Sequence, residues 1–126
     1  DIGFFFTFFA YKRTNVIVTT LIITQQNILY PIPEKIPFRY ECALHFDEET
    51  LYPDFTILHP KTHELHYWEH FGMMDKPTYV HKNNSRLQTY LTHNIIPGKN
   101  LIITYETSNH PLDLYTIEKI LQVYFL

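Results

Sequence analysis

Cysteine is all but missing: Cys42 is the one copy in 126 residues. That excludes an intrachain disulfide and a thiolate zinc site, and it points to a reducing compartment, the cytoplasm. Glycine is nearly as scarce, with three residues. There is no Gly-rich phosphate loop, no dinucleotide fingerprint and no Ser-His-Asp order. The apolar run Phe4 to Ala10 is too short to span a bilayer. Lys12 and Arg13 follow that run instead of preceding it, the reverse of a secretory leader. No membrane partner is therefore expected. Positive charge is short as well. The net charge is −3, a poor match to a strongly basic nucleic-acid binder. A nuclease stays open, because a metal site needs acids and a basic patch can be local.

Aromatic residues dominate what is there. Ten Tyr and ten Phe, in a composition 45% hydrophobic, favour strands and a dense core. The length fits one domain. Residues 1–37 are expected to be a divergent or truncated N-terminal segment, and 38–126 the folded core. A start at Asp1 is read as the edge of a fragment, whose full-length parent would carry additional domains. Val16 to Ile28 is apolar, and helix and strand are not separable there. Pro31, Pro33 and Pro37 make Tyr30 to Pro37 a loop.

From Phe38 the pattern is clearer. Phe38 to Phe46 alternates as a strand, and Tyr52 to Leu58 and Leu65 to Phe71 follow with short turns, which predicts an antiparallel meander. Asp75 is expected to cap a helix, with Pro77 in its first turn. Val80, Leu87 and Leu91 form its predicted buried stripe, and it should stop near Asn94. Pro97-Gly98 is a turn. Leu101 to Tyr105 is a fourth strand, and its apolar run suggests a central position. A last helix is expected over Asp113 to Tyr124, with Leu114, Ile117, Leu121 and Tyr124 on one face. The fold class is α/β: a mixed central sheet with a three-strand meander followed by helix-strand-helix.

The chemistry-bearing pair is Asp54 and Glu69, one on each of two neighbouring strands. A hairpin can set their carboxylates side by side, where they repel unless a cation sits between them. Mg²⁺ suits one or two carboxylates plus several waters. Such an ion can polarise a phosphodiester and acidify an attacking water. On spacing alone the signal is weak, and both acids read first as solvent-facing strand residues.

The strings Tyr52-Pro53-Asp54-Phe55-Thr56-Ile57 and Tyr67-Trp68-Glu69-His70-Phe71-Gly72-Met73 resemble a bacterial branch of the PD-(D/E)xK, restriction-endonuclease-like nuclease superfamily. The resemblance continues through Asp75, Pro77, Tyr79, Ile96 to Ile102, Glu106 and Pro111 to Asp113. It implies a restriction-endonuclease-like core, Mg²⁺ or Mn²⁺ as cofactor, and cleavage of nucleic acid, DNA in the first instance. Asp54 matches the motif Asp and Glu69 the motif Glu, both as metal ligands. The motif Lys position holds Phe71. His70 is a stand-in only if the strand bulges or ends there. Asn15 stands where the family's N-terminal Glu belongs.

Lys82 is the other candidate helper, on a helix face that Tyr79, Lys82, Arg86 and Tyr90 share. It can stabilise an attacking hydroxide or the phosphorane. Arg86 and Lys99 are candidate phosphate contacts. Glu41 and Glu106 are possible extra acids. Lys82, Arg86, Glu41 and Glu106 each also read as an ordinary surface residue.

Three rival readings stand beside the nuclease. His59, His63, His66 and His70 would share a helix face and suggest zinc, but Pro60 and the flanking aromatics favour a turn and a strand. A catalytically inactive nucleic-acid-binding module fits the absent motif Lys. A structural remnant of the fold is the third.

Overall fold

The computed structural model describes residues 36–72 and 75–125. Phe4 to Ala10, Asn15, Val16 to Ile28, most of the Pro-rich loop and Met73 lie outside the described residues, with the expectations attached to them.

Eight elements follow in order. They are β1 (Phe38–Tyr40), β2 (Leu44–His45), β3 (Thr50–Leu51), β4 (Phe55–Leu58), β5 (Leu65–Gly72), α1 (Pro77–Thr92), β6 (Leu101–Glu106) and α2 (Leu114–Phe125). The class is mixed α/β. One sheet has the order β1-β4-β5-β6, and β2-β3 is a separate two-stranded ribbon. β1, β4 and β5 pair antiparallel, whereas β5 and β6 pair parallel, with α1 as the crossover between them.

Both faces of this sheet are covered. On one, Phe38, Tyr40, Phe55, Ile57, Trp68 and Ile102 pack with Ile117, Leu121 and Phe125 of α2. On the other, Tyr67, Leu101 and Ile103 pack with Leu87 and Tyr90 of α1 and with Leu44, Phe46 and Leu51 around the ribbon. Burying one such large apolar side chain contributes roughly 1.5–3 kcal/mol. Strand alternation divides β5 between the two layers: Tyr67, Glu69 and Phe71 face α1, while His66, Trp68 and His70 face α2.

Four expectations are corrected. The strand over Phe38 to Phe46 breaks after Tyr40, because Glu41 takes a left-handed φ of 47°. The chain then leaves the sheet and re-pairs as the ribbon. β6 is not central but the last strand among the described ones. Its apolar run reflects cover on both faces. The buried stripe of α1 is Asn83 and Tyr90; Val80 and Leu87 are half-buried and Leu91 is exposed. Asp75 does not cap α1. Its Oδ2 accepts the Ser108 hydroxyl at 2.5 Å, which holds its carboxyl below the ordinary range, and Lys76 takes the cap position without a side-chain bond.

Other local signals act as the residues suggest. Asp113 Oδ1 accepts the Thr116 N–H at 2.8 Å and so caps α2. Gly98 has φ +85° in the turn before β6, a conformation that costs glycine nothing. The His59 ring accepts the N–H groups of Lys61 and Thr62 at 3.1 and 3.2 Å, fixing the β4–β5 turn.

Candidate functional site

Register assembles the acids. Tyr40 lies opposite Phe55, and Phe55 opposite Trp68. One residue further along, Glu41 just past β1, Asp54 just before β4 and Glu69 in β5 fall in a row. The bond from Glu41 N–H to the Asp54 carbonyl, at 3.0 Å, continues that row. Directly opposed residues in antiparallel strands share a face. The even-numbered N–H groups of β5 point to β4, and that of His70 donates to Asp54 Oδ2 at 2.7 Å, where a main-chain acceptor would otherwise stand.

Glu69 is 1% exposed, on the α1 face. Its Oε1 accepts both the Tyr90 hydroxyl, at 2.5 Å, and Nη2 of Arg86. Arg86 Nη2 also reaches the Tyr52 carbonyl at 3.4 Å. Burial pushes the Glu69 carboxyl up to about 7, with Asp54 adding to the rise and Arg86 and Tyr90 opposing it. Burial likewise raises Asp54, against the His70 N–H and the Arg86 charge, and Glu41 adds to the rise. The Tyr90 hydroxyl is raised by burial and by the neighbouring Glu69 charge. Two desolvated acids that sense each other's charge form an electrostatic sink for a cation.

The structure thus gathers Asp54, Glu69 and Arg86, with Glu41 at the end of the row. The ring of His70 lies elsewhere. β5 neither bulges nor ends before Gly72, so the ring points to the α2 face. There Nδ1 lies 2.9 Å from Thr104 Oγ1, and Thr104 also accepts the Trp68 indole N–H at 3.0 Å. His70 Nε2 is 3.5 Å from Glu106 Oε1, and Glu106 Oε2 accepts the Leu112 N–H at 3.1 Å. Glu106 therefore belongs to that second cluster. Lys82 is exposed on α1, one turn before Arg86. Lys99 is exposed in the turn before β6, at the opposite end of the sheet. The pairing of Tyr67 with Leu101 puts it about 13 Å from the acid row along the strand direction. Phe71 is buried on the Glu69 face.

The sequence places Tyr90 on the Arg86 face without a role at the acids, and gives Thr104 no role. Tyr90 had a usable signal, one helical turn beyond Arg86 on the same stripe. Thr104 had none, since its role depends on the pairing of His70 with it across β5 and β6.

Among the described residues, no group of three or more His, Cys, Asp or Glu side chains is gathered closely enough to hold a metal ion unaided. Nor is any described helix long and apolar enough to cross a membrane. Comparison with family models, with curated proteins and with solved structures finds no match.

Proposed function

We propose that this chain is a nuclease domain with a restriction-endonuclease-like core, which hydrolyses nucleic-acid phosphodiesters, DNA in the first instance, with Mg²⁺ or Mn²⁺ as cofactor. The observation that carries the reading is the row of Glu41, Asp54 and Glu69 at the adjoining ends of β1 and β4 and in β5, with Asp54 and Glu69 desolvated. Buried acids brought together this way cost stability, and such perturbed groups cluster at functional sites. The likeness of the Tyr52 to Ile57 and Tyr67 to Gly72 strings to the PD-(D/E)xK pattern supports the same assignment.

The donor set fits a hard divalent ion. Asp54 uses Oδ2 and Glu69 uses Oε1 in hydrogen bonds, so one oxygen of each is left among the described residues. Two carboxylates, completed by water and substrate oxygens, are the usual protein share of a Mg²⁺ site. A bound ion would supply charge for the phosphorane and a more acidic water. The protein's own groups hold the ligands still. The His70 N–H fixes Asp54, and the Tyr90 hydroxyl fixes Glu69. Lys82, one turn from Arg86, is the amine available to serve where the motif lysine position holds Phe71.

A non-catalytic nucleic-acid-binding remnant of the fold is the second reading, favoured by one contact. Arg86 already neutralises Glu69 from within. Cleavage assays on labelled single- and double-stranded DNA and on RNA, with Mg²⁺ or Mn²⁺, separate the two. Activity that requires the ion and disappears in both Asp54→Ala and Glu69→Ala, with circular dichroism unchanged, is the expected result. Equal activity in wild type and both variants removes the mechanism, and ion-independent binding without cleavage favours the second reading.

A further inference from the structure

Glu69 is enclosed on nearly every side. Its carboxylate is 1% exposed, and Tyr90 below it is fully buried. The partly open side is the one Arg86 covers, whose side chain is 30% exposed. The guanidinium bridges α1 to the sheet by two contacts: the charged one to Glu69, and a long one to the Tyr52 carbonyl at 3.4 Å. The salt bridge of Arg86 is to Glu69.

We infer that Arg86 is a displaceable internal cation: its guanidinium and an incoming divalent ion compete for Glu69, and the ion's arrival frees Arg86 to grip a backbone phosphate of the bound strand. This rests on the reading of Asp54 and Glu69 as ion ligands. Charge counting supports the exchange, because one guanidinium meets two carboxylates and leaves the pair a full charge short of neutrality. A divalent ion closes the deficit. Geometry supports it too. The weak Tyr52 contact offers little resistance to release, and a side chain already one-third exposed needs only rotamer changes to reach solvent. A freed guanidinium presents its planar fork, which suits the two oxygens of a phosphate. Tyr90 keeps its bond to Glu69 throughout, so the ligand does not lose its orientation when the cation changes.

The alternative is a fixed pair, in which Arg86 orients Glu69 and the ion uses only the free oxygens. The two differ in sign. Calorimetric titration of the whole chain with Mg²⁺ at about pH 9, where Glu69 is ionised, compares wild type with Arg86→Met, Arg86→Lys and Asp54→Asn. Competition predicts that Arg86→Met binds Mg²⁺ about tenfold tighter, the weight of one charge-assisted hydrogen bond. Arg86→Lys, whose ammonium makes no fork, is expected between the two. Should Arg86→Met fail to fold, a smaller increase in Arg86→Lys carries the test. Equal or weaker binding in the folded Arg86 variants overturns the exchange; if Asp54→Asn abolishes wild-type binding in the same series, the ion site survives. Binding in Arg86→Met but not in wild type supports the exchange. No Mg²⁺ binding in wild type or either Arg86 variant overturns both the exchange and the ion site.

Discussion

Replacing Glu69 by Gln is expected to stabilise the fold while ending metal-dependent chemistry. The carboxyl ordinarily titrates near 4.5 and is pushed up to about 7 in the fold. Between those values the native state holds a proton that the unfolded chain has released, so stability falls as pH rises through that window. The loss is complete above about pH 7 and amounts to roughly 3 kcal/mol at 1.4 kcal/mol per pH unit. Gln has the shape of the protonated acid and never ionises. It can still accept from Tyr90 and Arg86 through its amide oxygen. Urea denaturation of wild type and Glu69→Gln between about pH 5 and pH 9 tests this. The two should converge toward the acid end and separate by about 3 kcal/mol at the alkaline end, with the variant more stable. A variant that is less stable at pH 8, or one whose pH dependence parallels the wild type, would refute the claim that burial of this acid strains the fold. Saturating Mg²⁺ should recover part of the deficit in wild type, by mass action on the native state, and none in the variant.

Three further perturbations probe the surroundings. Thr104→Val removes the partner shared by the Trp68 indole and His70 Nδ1; a loss of about 2–4 kcal/mol is expected for two orphaned buried groups, read by denaturation with the chain's one tryptophan as the fluorescent reporter. Tyr90→Phe deletes a donor to the Glu69 carboxylate. It should cost about 1.5–3 kcal/mol above pH 7 and less below pH 5, where the acid is neutral, so denaturation at both pH values must show the difference. Gly98→Ala meets open space but keeps a φ of +85°, so a loss of about 1 kcal/mol is expected from backbone strain alone, with ion binding unchanged by calorimetry.

Much of this architecture is legible from residue order. β4, β5, β6 and both helices fall where alternation, turns and proline place them. Glu69 falls on the expected strand, and Asp54 immediately before the neighbouring one. The break after Tyr40 is not legible, because the apolar alternation runs on through Cys42, Leu44 and Phe46 while a single backbone angle at Glu41 turns the chain away. The polar face of α1 misleads for a different reason. Helical periodicity assumes that apolar residues seek the core, but here the sheet presents a buried carboxylate and the helix answers with Arg86 and Tyr90. The role of the His70 main chain is also invisible in sequence. Its N–H serves Asp54 while its ring serves Thr104 on the other side, a division that requires the strand to continue regularly through Gly72.

Asp54, just before β4, and Glu69, in β5, sit opposite each other, so the interval between them is set by the hydrogen-bonding distance across the sheet, about 4.8 Å per strand. A chain built this way has a ruler that evolution cannot easily stretch. The turns at 46–49 and 59–64 can lengthen or drift in composition without moving the ligands. A single residue gained or lost inside β4 or β5 would carry its acid to the other side of the sheet. Tolerance to insertion should therefore change abruptly at the strand boundaries, with permissive turns beside segments that accept substitution but not a change of length.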